Sequence, residues 1–244
     1  MHSIYLDLQK AFDKVPHDEL LLKLNKKFGL EDLVINWLKS FLKGRRQRVR
    51  VGKTLSSWKE VQSGVPQGSV LAPLLFILYV SDMQETLKDV NVLKFADDTK
   101  IYMAVTKQED IDLIQSNLNK LSDWFLTWKM PINIKKSGII HFGSQNSSQQ
   151  YELYCSKLEL FQRERDLGVI MDNKLSYKHH IQLTVSKAWK LYGWMVRNVE
   201  SRDKLVILHV YKTMLRPLLE YASTVWSPHR IIDLTKIERI QKSN

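Results

Sequence analysis

Two apolar runs, residues 90–95 and 100–105, are separated by only four residues, two of them Asp97 and Asp98. A gap that short leaves the second run no route except back along the first, so the pair reads as an antiparallel hairpin with a tight acidic turn at Asp97 and Asp98. A hairpin is not stable alone; it needs further strands and a covering layer. Residues 3–8 supply a strand. Ser3, Tyr5 and Asp7 alternate there with Ile4, Leu6 and Leu8, the pattern of a half-buried strand that ends on an acid. Residues 138–142 supply another. The layer comes from residues 109–128, where Ile111, Ile114, Leu118, Leu121, Phe125 and Trp128 recur three and four apart on one helical face. Helices are also predicted over 18–28, closed by Gly29, over 31–42 with Leu33, Trp37, Leu38 and Phe41 inward, and over 70–83 after Gly68. The fold class is α+β, an antiparallel sheet with helices on one face.

Beyond residue 142 the pattern changes. Residues 143–150 are small and polar, linker-like, and short strands follow up to Met171. A helix over 177–199, with His179 and His180 at its start, precedes one capped by Ser201 and kinked at Pro217. The expected division is a sheet-bearing part over 1–142, a connecting part over 143–172 and a mainly helical part over 173–244.

A single cysteine, Cys155, excludes a disulfide scaffold and a multi-cysteine zinc module. The longest apolar stretch, residues 70–80, contains Pro73 and is too short to span a bilayer, so no membrane partner is expected. Asp7 and Lys10 interrupt any cleavable signal at the start. The net charge of +11 points to a polyanionic partner. Lys43, Arg45, Arg46, Arg48, Arg50 and Lys53 follow one another with no acid between them. Arg48 and Arg50 alternate with Gln47, Val49 and Val51 between Gly44 and Gly52, a strand with one cationic face. Such a strand serves either as a solvated edge that resists aggregation or as a set of phosphate contacts.

Adjacent aspartates in a turn ordinarily bond their own backbone. Here apolar strands flank them. If the first strand lies beside the hairpin, Asp7 meets Asp97 and Asp98 at one end of the sheet. Carboxylates so placed need compensating charge, and oxygen-only clusters hold Mg²⁺ or Mn²⁺. Two such ions, about 3.5–4 Å apart, clamp both oxygens of an in-line phosphoryl displacement. The chemistry indicated is nucleotidyl transfer or phosphodiester cleavage.

The words around these acids are specific. Residues 7–15 (DLQKAFDKV) resemble motif A of reverse transcriptases, and residues 63–69 (SGVPQGS) followed by residues 71–76 (LAPLLF) resemble motif B. Phe95-Ala96-Asp97-Asp98 is similar to motif C. Asn133 and Lys136 before His141-Phe142-Gly143 look like motif D, and Leu167-Gly168-Val169 with Asp172 looks like the primer grip. In order and spacing the set resembles the polymerase of non-LTR (LINE-type) retrotransposons of the jockey-like group, across essentially the whole chain.

The resemblance implies an RNA-directed DNA polymerase palm followed by a helical thumb, acting on an RNA template, a DNA primer and dNTPs with two Mg²⁺ ions (Mn²⁺ as a substitute). It implies that Asp7 and Asp97 ligate both ions, with Asp98 in support and the Leu8 carbonyl completing one shell. Phe12 falls at the steric gate against the ribose 2′-OH, and Pro66, Gln67 and Gly68 shape the nucleotide pocket. Lys136, or Lys135, would protonate departing pyrophosphate. Leu167 and Gly168 would hold the primer end. Arg46, Arg48, Arg50, Lys187, Lys190 and Arg197 would contact nucleic-acid backbones.

The chain opens almost at motif A, so the family's upstream fingers and endonuclease are expected to be missing, and Ser137-Gly138 stands where many relatives carry a cysteine. A second reading stays open: a truncated, catalytically inactive nucleic-acid-binding remnant. An RNA-dependent RNA polymerase is disfavoured by Phe12 and the Pro66-Gln67-Gly68 box. A nuclease fits the acids but not motif B.

Overall fold

The computed structural model describes residues 1–143, 149–201 and 203–242; most of the linker-like stretch, residues 144–148, lies outside them. They form two compact units. One runs from Met1 to His141 and takes in the described residues up to Leu160, and the other holds Phe142, Gly143 and the described residues from Phe161 onward.

The first unit mixes helix and sheet. In chain order it contains β1 (His2–Leu6), α1 (Ala11–Lys14), α2 (His17–Lys26) and α3 (Asp32–Leu42). The short strands β2 (Arg46–Gln47), β3 (Arg50–Val51), β4 (Thr54–Leu55) and β5 (Lys59–Glu60) come next. Then follow α4 (Leu71–Val80), extended by a 3-10 turn over Ser81–Thr86, and β6 (Asn91–Phe95), β7 (Asp98–Met103), α5 (Gln108–Thr127) and β8 (Gly138–His141). β9 (Glu152–Leu153), β10 (Ser156–Lys157) and β11 (Glu159–Leu160) close it. Five strands make one sheet in the order β11-β8-β1-β7-β6. β1 pairs antiparallel with β7 and β8, and β6 with β7, while β11 runs parallel to β8.

The register sorts the two faces. Ile4 lies opposite Ile101 and Ile139, and Val92 opposite Ile101, so these share a face. Ile4, Ile101 and Ile139 are buried in one core with Leu20 and Leu24 of α2, Phe76 and Tyr79 of α4, and Leu118, Leu121 and Phe125 of α5. Each such side chain stabilises the fold by roughly 1.5–3 kcal/mol on leaving water. The other face carries Tyr5, Lys100 and Leu93 in one row.

Three expectations change. The first strand is not half buried: Ser3 and Ile140, neighbours on the second face, are both 0% exposed, so that face is covered at one end and opens only toward Tyr5, Leu93 and Phe95. In α3 only Leu38 and Leu42 are buried; Leu33 and Trp37 are 80% and 57% exposed. Periodicity marks an apolar stripe but not whether a neighbour exists to cover all of it, and here the stripe meets α2 on one narrow side. Residues 43–53 are not one strand. β3 folds back onto β4 at Gly52 (φ +59°) and β2 pairs with β5, making a single hairpin arm whose side chains from 43 to 60 are all exposed.

The second unit contains β12 (Arg163–Asp166), β13 (Val169–Asp172), α6 (Lys178–Asn198), α7 (Lys204–Val210), α8 (Arg216–Glu220), α9 (Ser223–Trp226) and α10 (Ile231–Lys242). Its cores gather Ala188, Met195, Leu215, Leu219 and Ile240 in one place and Val169, Ile181 and Trp226 in another. The N-cap of α7 is Asp203, whose carboxylate accepts from Leu205 N–H at 2.7 Å; Ser201, the expected cap, instead accepts from Asp203 N–H. Pro217 has no N–H to give the turn before it, and the helix widens there to a π turn over Tyr211–Leu215 rather than ending. Among the described residues no helix is long and apolar enough to cross a membrane.

One polar node fastens the helical layer. The Lys23 ammonium is buried, donates to the Tyr79 carbonyl and to Asp82 Oδ1, each at 2.7 Å, and lies 3.5 Å from the Trp128 ring centroid. Trp124 Nε1–H donates to the same Asp82 oxygen at 3.1 Å. Burial pulls the Lys23 pKa from about 10.5 down to about 8, against the opposing pull of Asp82. Lys23→Ala strips the partner from a largely buried carboxylate and is expected to cost about 3–5 kcal/mol in urea denaturation. The pH dependence has a definite sign. Between pH 8 and 10.5 the unfolded chain holds more protons at this site than the folded one, so the site's contribution to stability rises with pH. The stability difference between wild type and Lys23→Met should therefore move in favour of wild type from about pH 7.5 to 9.5; a flat difference contradicts the assignment.

Candidate active site

Asp7 lies one residue beyond β1, and its backbone is fixed on one edge. Its N–H donates to Ser137 Oγ (3.1 Å) and its carbonyl accepts from Asn133 N–H (2.8 Å). Ser137 Oγ in turn donates to the Asn133 carbonyl. Leu8 bridges Ile132 and Gln9 N–H bonds the Pro131 carbonyl, so β1 is continued by an irregular partner. Because that edge uses the carbonyl of Asp7 and the N–H of Gln9, the N–H and carbonyl of Leu8 face the opposite edge, where β7 lies. The Leu8 side chain is buried.

The β6–β7 hairpin completes this end of the sheet. Phe95 pairs with Asp98, which leaves Ala96 and Asp97 as the two turn residues; Asp98 is the first residue of β7 rather than part of the turn. Ala96 has φ +53°, the left-handed conformation that primed hairpin turns require at their first position. Leu6 lies opposite Thr99, so one further step of the register sets Asp7 opposite Asp98, on the open face with Phe95. Asp7 and Asp97 are half-buried and Asp98 is exposed. The ion pairs among the described residues leave Asp7 and Asp97 without a cation.

The segment after Asp7 is stitched to residues 63–69. Lys10 (φ +49°) turns the chain into α1, and the Phe12 ring stacks on Phe76 with centroids 4.6 Å apart. Val65 N–H donates to the Phe12 carbonyl and Gly64 N–H to the Val15 carbonyl, both at 2.8 Å. Ser63 Oγ donates to the Asp13 carbonyl (2.8 Å) and Gln67 Nε2 to Asp13 Oδ1 (3.0 Å). The buried His17 ring bonds the Gly64 carbonyl through Nε2 at 2.8 Å. Ser69 N–H closes a turn on the Pro66 carbonyl around Gly68, whose φ is +85°. Asp13, His17, Ser63 and Gly64 are thus the residues that sequence reasoning left without a role. The signal was present, since three of them stand inside the two quoted motifs.

The remaining candidates are more dispersed. Lys135 and Lys136 are exposed in a 3-10 turn over Ile134–Lys136. Arg46, Arg48 and Arg50 lie on the hairpin arm. Leu167 and Gly168, in the second unit, are the turn of the β12–β13 hairpin, with φ +43° and +88°, and the Tyr221 hydroxyl donates to the Leu167 carbonyl at 2.8 Å. Lys187, Lys190 and Arg197 recur at helical spacing on an exposed side of α6 that also carries Trp194. The buried His180 accepts from Ile170 N–H and packs against Trp226. Burial, with the charges of Lys187 and Arg165, lowers its pKa.

Among the described residues no group of three His, Cys, Asp or Glu side chains converges as a metal site. The donors at this sheet end are oxygens only: two half-buried carboxylates, an exposed third and a backbone carbonyl. That set fits a hard cation such as Mg²⁺, which is commonly held by one or two carboxylates with substrate phosphates filling the shell.

A strand paired on both edges leads into one carboxylate, beside a hairpin that carries a second in its turn and a third at the start of β7, within a mixed α and β unit. The chain belongs to the reverse transcriptase (RNA-dependent DNA polymerase) family, whose model matches residues 2–186. Within it the similarity runs to jockey-like non-LTR retrotransposons. The chain is 32% identical over 259 residues to a probable RNA-directed DNA polymerase from transposon X-element of Drosophila melanogaster (98% of this chain, 27% of the relative). It is 31% identical over 256 residues to the RNA-directed DNA polymerase from mobile element jockey of the same species (97% and 27%). The chain thus spans about a quarter of the length of these curated relatives. Among solved structures it is similar in fold to telomerase from Candida tropicalis in complex with a TWJ fragment of telomeric RNA. That match has a TM-score of 0.51 and 12% identity, covering 100% of this chain and 40% of the other.

The stitching makes a contrast between two glycines. A Cβ at Gly64 (φ +94°) would meet the Asp13 Cα at 2.7 Å, whereas one at Gly68 meets nothing within 4 Å. Gly64→Ala is expected to cost about 3 kcal/mol or more, from clash and strain together, and Gly68→Ala about 1 kcal/mol from strain alone. Urea denaturation of the two variants measures the gap, and equal losses would show the close approach to be absent in solution.

Proposed function

We propose that the first unit is the palm of an RNA-directed DNA polymerase, with the helices from α6 onward as a thumb, and that it joins dNTPs to a primer 3′ end on an RNA template. What supports this reading is the β1–β7 register, which when continued one step past Leu6–Thr99 sets Asp7 level with Asp98, beside the Ala96-Asp97 turn, together with the bonds that tie the segment after Asp7 to residues 63–69. Two Mg²⁺ ions (or Mn²⁺) held by Asp7, Asp97 and the Leu8 carbonyl, with Asp98 in support, would supply Lewis-acid stabilisation of the phosphoryl oxygens.

The chain's own residues do the rest. The open sheet face with Tyr5, Leu93, Phe95 and Lys100 offers the primer terminus an amphipathic platform ending at the carboxylates. Phe12, held by its stack on Phe76, stands as the gate against a ribose 2′-OH. The Asp13–Gln67 hydrogen bond ties the Pro66-Gln67-Gly68 turn to the segment that carries Phe12. When the primer 3′-OH bonds to the α-phosphorus it gives up its proton to water, pyrophosphate leaves with the electrons of the broken P–O bond, and Lys136 or Lys135 would give the pyrophosphate a proton. Leu167 and Gly168 would hold the primer end from a rigid hairpin turn. Lys187, Lys190 and Arg197 would meet the hybrid backbone, and Arg46, Arg48 and Arg50 a phosphate chain on the arm.

The test is primer extension on an RNA template. Synthesis should require Mg²⁺ or Mn²⁺, cease with a chelator, and fall at least about 10³-fold in Asp97→Ala. Phe12→Ala should narrow the preference for dNTP over NTP while synthesis continues. Asp97-independent incorporation would overturn the assignment. Tight binding of RNA–DNA hybrid without any synthesis would favour the binding-only reading instead.

A further inference from the structure

The hairpin arm does something the core does not need. No side chain between residues 43 and 60 is buried, so this segment contributes nothing to the hydrophobic core. An isolated two-stranded hairpin is marginal in water, and one kept at such length serves as surface. It holds Lys43, Arg45, Arg46, Arg48, Arg50, Lys53 and Lys59 against a single acid, Glu60. Large planar groups stand among these cations. Trp37 on α3 is 57% exposed and Trp58 on the arm 55%. The Trp37 and Phe41 rings stack nearly parallel, 9° apart with centroids at 5.9 Å, and the Arg45 guanidinium continues the stack 5.6 Å from the Phe41 centroid. A second such pair forms where the Arg48 guanidinium lies 4.4 Å from the Trp58 centroid.

From this arrangement we infer that the arm and the outer face of α3 form a docking surface for single-stranded nucleic acid, with unpaired bases stacking on Trp37 and Trp58 and phosphates meeting Arg45, Arg46 and Arg48. The inference deepens the reading of the arm given above, by naming the strand state of its partner, and it does not depend on catalysis. Charge complementarity selects a polyanion. The aromatics select among polyanions: a base offers a π-face of any sequence, whereas duplex bases are already stacked on one another and use only the cations. A guanidinium held over a ring by cation–π attraction is positioned before the strand arrives and retains N–H groups for phosphate. An acidic protein would satisfy the arginines but give the two tryptophans no planar partner.

The experiment is fluorescence anisotropy with a labelled oligo(dT) or oligo(U) of about 20 nucleotides, beside a DNA duplex of the same length. Trp58→Ala and Trp37→Ala should each weaken single-strand binding by about 5- to 100-fold and change duplex binding by less than about twofold. Trp58→Phe should recover much of the loss. Arg48→Ala should lower affinity and reduce the slope of log K against log salt by about one. All three positions are exposed, and unchanged urea midpoints would confirm intact folding. Equal losses for duplex and single strand, no loss in either tryptophan variant, or the same tryptophan dependence with polyglutamate as probe would each overturn the inference. Asp97→Ala separates it from the polymerase reading. That variant should bind oligo(dT) as wild type does, so binding without synthesis leaves this surface standing. Synthesis without single-strand preference removes only this surface.

Discussion

A strand paired on both edges cannot slip by one residue without turning its buried face to water and its polar face into the core. β1 is such a strand, and the candidate site depends on it. Ile4 and Leu6 are packed beneath the helices, and the same register that buries them fixes where the chain emerges at Asp7. The irregular partner at residues 131–133 then holds Asp7 through Gln9 in line with the strand after regular pairing ends. The position of Asp7 is therefore set by the apolar burial of Ile4 and Leu6 together with its own backbone bonds to Ser137 and Asn133.

The second half of the site rests on a chain of packing that begins far from it. Lys23, caged by Tyr79, Trp124 and Trp128 and paired to Asp82, joins α2 to α4 and α5. The first residue of α2 is His17, whose ring bonds the Gly64 carbonyl, and Gly64 presses against the Asp13 backbone. A glycine is required there because any side chain would enter the space Asp13 occupies. Two segments some fifty residues apart in sequence are thereby held as one surface, with Phe12 on one side and Gln67 on the other.

Much of this was legible in the sequence, for identifiable reasons. Period-two and period-3.6 patterns located β1 and α5, and an apolar run located β7, because each has side chains in the same core; β6 was read from its apolar run beside a tight acidic turn. A tight hairpin and a neighbouring strand leave few registers, which is why the sequence could set β1 beside β7; that the three aspartate side chains converge is not seen among the described residues. What was not legible depended on neighbours. Leu33 and Trp37 read as core because the period reports apolar residues, not whether anything covers them. Ser3 read as solvent-facing because alternation assumes an open face, and its end of the sheet is covered. The cationic run read as one strand because Gly52 alone does not reveal that the chain doubles back onto residues 54–60. Asp13 and Gly64 stood inside quoted motifs, yet their contact is between motifs, and spacing within each cannot show it.

The charges are arranged so that neither sign cancels the other. Asp7 and Asp97 keep no basic partner, and among the described residues no ion pair engages Arg46, Arg48 or Arg50. Of the arm's cations only Lys43, at its base, forms a pair, with Asp18 of α2; the other pairs, such as Lys23–Asp82, Lys27–Glu85 and Arg216–Glu220, lie off the arm. Had the arm's arginines been able to reach the sheet end, they would have compensated the carboxylates and removed any call for a divalent cation there, while withdrawing themselves from phosphate. The arm's own pairing and ring contacts are local instead. β2 with β5 and β3 with β4 spend the backbone hydrogen bonds within the arm, and the Arg45–Phe41 and Arg48–Trp58 stacks hold two guanidinium groups on local rings. Keeping cations and anions apart costs the molecule some ion-pair stabilisation, which is small at exposed positions in any case. In return Asp7 and Asp97 stay open to a cation and Arg46, Arg48 and Arg50 to an anion, and under the proposed function that separation would let one basic chain attract a polyanion while it retains an acidic centre.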